Sequence, residues 1–170
     1  ASYGENDPRA WSASDRMGGS PGRAEPFTAD PLQSVVINEF LANSDLPQED
    51  YVELYNHGTA AVDISGAYLS DDRDTNKFRI PDGTVLPPRG FVSFTLSGPA
   101  TGFSLSSAGE RIYLVNPSQT RVLDLVVFEA QAAGVCSGRY PDGAPRFRPL
   151  AAPTPGGANA APRIADVVIN

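Results

Sequence analysis

Asp72, Asp74 and Asn76 stand at alternate positions in the run Ser70-Asp71-Asp72-Arg73-Asp74-Thr75-Asn76-Lys77. That is the spacing of the first three ligands of a calcium loop. These three side chains are the candidate metal ligands, and Ca²⁺ is the one cofactor the sequence allows; no other is expected. The run is not an EF-hand, because Lys77 fills the sixth position, where Gly is required, and Gly83 the twelfth, where a bidentate carboxylate is required. The competing reading is a turn in which Asp and Asn bond their own backbone while Arg73 and Lys77 offset the charge.

Other chemistry is bounded by residue supply. Glu39, Asp50 and Glu53 could supply two acids for glycoside hydrolysis, which needs them at a fixed separation across a cleft. On alternating strands the same acids are expected on polar faces, paired across strands with Arg or Lys. His57, the only histidine, lies between Asn56 and Gly58 at a turn, is expected to be solvent-exposed, and has no second imidazole or thiolate to complete a site. Ser104, Ser106 and Ser107 lack a Gly-x-Ser-x-Gly elbow. Cys136 cannot form an internal disulfide, lacks a nearby base to lower its pKa, and is expected as a small, buried or half-buried residue. Arg139, Tyr140, Arg146 and Arg148 form a basic, aromatic cluster that could bind an anionic ligand, since Arg stacks on rings and grips carboxylates bidentately; otherwise they are surface charge.

The elements that must position these groups are short strands. Val35-Val36-Ile37 with Phe40, the run Tyr51 to Asn56, and Val62 to Leu69 are apolar stretches broken by Asn43-Ser44-Asp45, Pro47 and Asn56-His57-Gly58. Each is too short for a stable helix. In the second run Val52 and Leu54 share one face, while Tyr51, Glu53 and Tyr55 share the other, which meets water or a neighbour. Further strands are expected at Phe78-Arg79-Ile80, Phe91 to Leu96, Ile112 to Val115 and Val122 to Phe128, with Asp124 inside the last apolar run. Turns at Pro81-Asp82-Gly83, Leu86 to Gly90, Ala108-Gly109-Glu110 and Asn116-Pro117-Ser118 separate them. Strands about eight to twelve residues apart define an all-β sandwich of antiparallel strands.

Composition agrees. The 170 residues suffice for one cored domain, and 16 Gly with 16 Pro favour turns over helices. A net charge of −7 repels phosphate backbones, so nucleic acid is not an expected partner. No apolar run is long enough to span a bilayer, so no membrane insertion is expected. Two sequence words recur at nearly the same separation: Ser20-Pro21-Gly22-Arg23-Ala24-Glu25 with Thr154-Pro155-Gly156-Gly157-Ala158-Asn159, and Val35-Val36-Ile37-Asn38 with Val167-Val168-Ile169-Asn170. This suggests a tandem array. Residues 1–31 would then be the tail of a preceding repeat or a linker, 32–160 the sandwich, and 161–170 the start of a following unit or a linker. Trp11 would occupy in the preceding unit the place of Phe147 here.

The ordered words VVINEFLANSD, DYVELYNHG, VDISGAYLSDD, KFRIPDGTVLPPRGFVSF, FSLSSAGERIYLVNP and VLDLVVF, with PGGAN beyond them, resemble the lamin tail domain. The resemblance implies an immunoglobulin-like β-sandwich of the bacterial secreted or cell-surface type, and it brings no catalytic residues. It implies a non-enzymatic structural or interaction module of a larger exported protein, a spacer or adhesive domain located extracellularly or on the cell surface. The expected partner is a protein or a cell-surface polymer, with the oligomeric state open. The alternative is a carbohydrate- or calcium-dependent binding module of a secreted hydrolase, which would present Tyr51, Tyr55 or Tyr68 along a groove.

Overall fold

The alternation around Val52 and Leu54 materialises as an interior strand of a sheet. The computed structural model describes residues 30–45, 47–72, 74–96 and 102–164. Within it β1 (Val35–Leu41) pairs with β2 (Tyr51–Asn56), and β2 with β7 (Phe91–Thr95). On the far side of β1 lie β10 (Ser137–Arg139) and β11 (Phe147–Pro149), giving a five-stranded sheet ordered β11-β10-β1-β2-β7. A second sheet runs β5 (Phe78–Arg79), β4 (Tyr68–Ser70), β8 (Gly109–Val115), β9 (Val122–Glu129). A short ladder joins β3 (Val62–Asp63) to β6 (Val85–Leu86). Every strand pair is antiparallel. The architecture is the expected immunoglobulin-like β-sandwich.

The core forms where the inner faces of the two large sheets meet. Val35, Ile37, Phe40, Val52 and Leu54 from the first pack with Leu69, Ile112, Leu114 and Val126 from the second. The Phe40 ring lies 4.5 Å from that of Phe128 and 5.6 Å from that of Phe147. Ile37 and Phe40 both reach the core although three positions apart, because the β1–β2 register slips between Ile37 and Glu39. That bulge turns Asn38 and Glu39 together away from the core, as an extra residue in one strand must.

Two local expectations change. The run Val62 to Leu69 divides into β3 and β4, because Gly66 takes a positive φ of 75° in the turn between them. At Leu86 to Gly90 the left-handed residue is Arg89, with φ 57°, rather than Gly90. Gly90 is needed for another reason: a Cβ there would lie 2.4 Å from the Pro87 ring.

A third layer covers the outer face of the five-stranded sheet. Beyond β11 the chain forms a loop whose ends are pinned by the Leu150–Pro162 bridge and by Ala151 N–H donating to Ala161 O at 2.9 Å. Leu150 joins Leu41, Tyr51 and Cys136 in a second apolar cluster on that face. The repeated words at 20–25 and 167–170, and Trp11, lie outside the described residues.

Candidate functional site

The bulge in β1 and the alternation of β2 bring Glu39 and Glu53 directly opposite each other on the outer face, where both are 0% exposed. Their expected place on polar faces, paired with Arg or Lys, is corrected here. The third layer covers them, and the groups that donate to them are neutral hydroxyls and amides. Glu39 accepts from the Tyr51 hydroxyl, from Thr154 N–H at 2.9 Å and from the Thr154 hydroxyl. Glu53 accepts from Asn38 Nδ2 at 3.1 Å and from Gly156 N–H at 2.7 Å. Burial raises the Glu53 pKa to about 7, against the pull of the Asn38 and Gly156 donors.

The residues around this pair knit the third layer down. Asn159 donates through its side chain to Asn38 O at 3.1 Å and to Arg139 O at 2.8 Å, and through its backbone to Asp142 Oδ1 at 3.0 Å. Asn38 donates to the same Asp142 oxygen at 3.0 Å and accepts from Gly143 N–H at 3.0 Å. Tyr51 is pushed well above the ordinary phenol range by burial, then by its bond to Glu39. Cys136, fully buried, is pushed up to about 12 by burial and by the Glu39 carboxylate. A thiol so held carries almost no thiolate at neutral pH and is a poor nucleophile.

The basic cluster separates. Arg139 is buried, and its guanidinium donates to Ile37 O at 2.6 Å, Ala144 O at 2.6 Å and Asp124 Oδ2 at 2.8 Å while lying 4.6 Å over the Phe147 ring. The Asp124 oxygen also accepts from Ile37 N–H at 2.9 Å, so the acid inside the apolar run of β9 ties both sheets and β10 together. Tyr140, Arg146 and Arg148 are exposed.

At the calcium candidates, Asp72 Oδ1 accepts from Asp74 N–H at 2.9 Å, and Asn76 Nδ2 donates to Gln119 Oε1 at 3.1 Å. The Asp72 carboxyl is held below its usual range by the Thr75 side chain and then by that Asp74 amide. Among the described residues, no group of three or more His, Cys, Asp and Glu is gathered as for a metal ion. His57 is half-buried rather than fully exposed, its backbone N–H donating to Ser34 O at 2.8 Å. Tyr51 and Tyr55 are buried, Tyr51 on the wall of a cleft it shares with Pro153 and Pro155 and Tyr55 stacked on the Phe91 ring at 4.6 Å; Tyr68 is half-buried.

Residue reasoning missed Asn38, Asn56, Asp142, Thr154, Gly156 and Asn159. Asn56 stitches three segments together, accepting from Ser34 Oγ and Gly58 N–H, both at 2.9 Å, and donating to Ala60 O at 2.8 Å. The available signal was the PGGAN word itself, a run rich in free N–H groups far along the chain from two acids in apolar strands.

Fold and site together define an immunoglobulin-like sandwich whose buried polar groups serve its own architecture. The family model described as Lamin Tail Domain matches residues 28–129, more than half of the chain, and the chain belongs to that family. No curated protein matches it.

Proposed function

We propose that this chain is a non-catalytic spacer or adhesive module of a larger bacterial exported or cell-surface protein. Its partner would be a protein or a cell-surface polymer. The observation that carries the reading is the clasping of Glu39 and Glu53 by Tyr51, Thr154, Asn38 and Gly156. The acid pair closest to a hydrolase arrangement is thereby committed to holding a loop. A buried polar network with its acceptors filled fixes one arrangement of the layers, which suits a part that must hold its shape in series with others.

The outer surface offers the contacts. Tyr140, Arg146 and Arg148 are exposed together near β10 and β11, and Leu125 and Val127 stand out from the second sheet, Val127 at 67% exposure. Arginine beside an exposed ring suits an anionic or amide-rich partner surface.

Thermal melts with and without millimolar Ca²⁺, and against a panel of soluble glycans, test the reading. The spacer role predicts the same midpoint in every condition. A rise of several degrees with Ca²⁺ or one glycan would replace it with the ligand-dependent binding module.

A further inference from the structure

Two acids that face each other across β1 and β2, out of water and fed by neutral donors alone, are an unusual way to fasten a loop. We propose that residues 153–159 form a proton-controlled latch, closed while the Glu39–Glu53 pair holds a proton and loosened when the pair is fully charged.

The argument is geometric first. Glu39 and Glu53 are register partners in the antiparallel ladder, where directly opposed like charges destabilise the pair. Closing the loop takes both carboxylates out of water and leaves that repulsion weakly screened. Opening it returns them to solvent, so the open form tolerates two charges and the closed form prefers one fewer.

Around the pair and the latch stand few other titratable groups, among them Glu49, which lines the same cleft as Pro153 and Pro155. From β1 come Glu39 and Asn38, from β2 Glu53 and Tyr51, and from β7 Ser93, which stands opposite Glu53. From β10 and the residue before it come Cys136 and Arg139, the latter engaged with Asp124. From the loop after β10 comes Asp142, held by Asn38 and Asn159. The latch itself, Pro-Thr-Pro-Gly-Gly-Ala-Asn, contains no group that titrates. Cys136 and Tyr51 are both pushed away from neutrality, upward.

The direction follows from Glu53. Its pKa in the closed form is raised from 4.5 to about 7. A proton is therefore bound in the closed form and lost on opening between those two values, and closure weakens as pH rises through about 7. The closing equilibrium should fall about tenfold between pH 6 and pH 8. Opening would widen the cleft that Leu41 and Tyr51 share with Pro153 and Pro155, while Leu150 stays over Cys136, its N–H donating to Cys136 O at 3.0 Å.

Amide hydrogen exchange by NMR on the whole chain reads this directly. After correction for intrinsic exchange, protection at Thr154 and Gly156 should fall about tenfold from pH 6 to pH 8, while Ile112 and Val126 in the second sheet stay level. In Glu53→Gln the latch amides should keep their protection at pH 8. Equal protection at both pH values in the native chain, or the same fall in Glu53→Gln, would overturn the proposal. Should that variant not fold, the Glu53 carboxyl carbon shift of the native chain decides: a midpoint near 7 supports the latch, and one at or below 5 removes it.

Discussion

Asp124 and Arg139 show how much one buried pair can hold. The guanidinium and carboxylate are both nearly sealed from water, at 5% and 8% side-chain exposure, and between them they bond both backbone groups of Ile37. Arg139→Met should cost about 3–5 kcal/mol, because it leaves Asp124 charged and without its partner in a low-dielectric interior. Urea unfolding measures it as a drop in midpoint at unchanged slope. The double change Asp124→Leu with Arg139→Met should recover part of that loss, since two apolar groups leave nothing unpaired. The sequence marked Asp124 as out of place in its apolar run. Arg139 read as a surface charge because the composition around it, Arg146, Arg148 and Tyr140, is that of a surface cluster. A buried cation leaves no periodic trace when its strand is three residues long.

At the scale of elements, turns with positive φ separate two kinds of glycine. Gly109 opens β8 with φ 100°, and a Cβ there would meet Phe128 O at 2.7 Å and the Glu129 backbone at 2.9 Å. Gly83 has φ 81° in the turn before β6 but nothing within 4 Å of a Cβ. Gly83→Ala should therefore cost about 1–2 kcal/mol, the left-handed penalty alone. Gly109→Ala should cost more, about 3 kcal/mol, since β9 must also move away from β8. Chemical denaturation of the two variants side by side checks the order, and equal losses would show that β9 yields freely. Both turns were legible from Gly beside Asp or Ala between apolar runs. The alternation of β2 and β7 was legible too, since Val52, Leu54, Val92 and Phe94 all point toward the core. What alternation could not tell was whether the opposite face meets water. Tyr51 and Glu53 were open to either reading, and the neighbour proved to be the chain's own third layer, about a hundred residues away.

For the whole molecule, that third layer links stability to pH and fixes how much chain the fold needs. Glu53 binds a proton in the folded state between its ordinary 4.5 and about 7, where the unfolded chain has released it. The folded state holds more protons in that window, so stability falls as pH rises from about 5 to 8. A melting series should show this, and Glu53→Gln should reduce it, leaving the contribution of Glu110, whose pKa burial also raises from 4.5. The depressed Asp63 and Asp72 act in the opposite sense at lower pH, since each is lowered from 3.8, and so leave the window clear. The family match ends at residue 129, short of β10, β11 and the loop. A chain ending at Glu129 would lose Cys136 and Leu150 from over Leu41 and Tyr51, Arg139 from beside Asp124, and the Thr154 and Gly156 donors from two buried acids. Each loss belongs to the group that costs several kcal/mol, and together they reach the 5–15 kcal/mol that holds a domain of this size. Such a chain should give weak near-ultraviolet dichroism, bind an apolar dye and unfold without a cooperative transition, whereas one ending at Ile164 should unfold in a single step. A sharp transition of equal midpoint in the shorter chain would mean that the sandwich stands alone and that the third layer is an attachment to it.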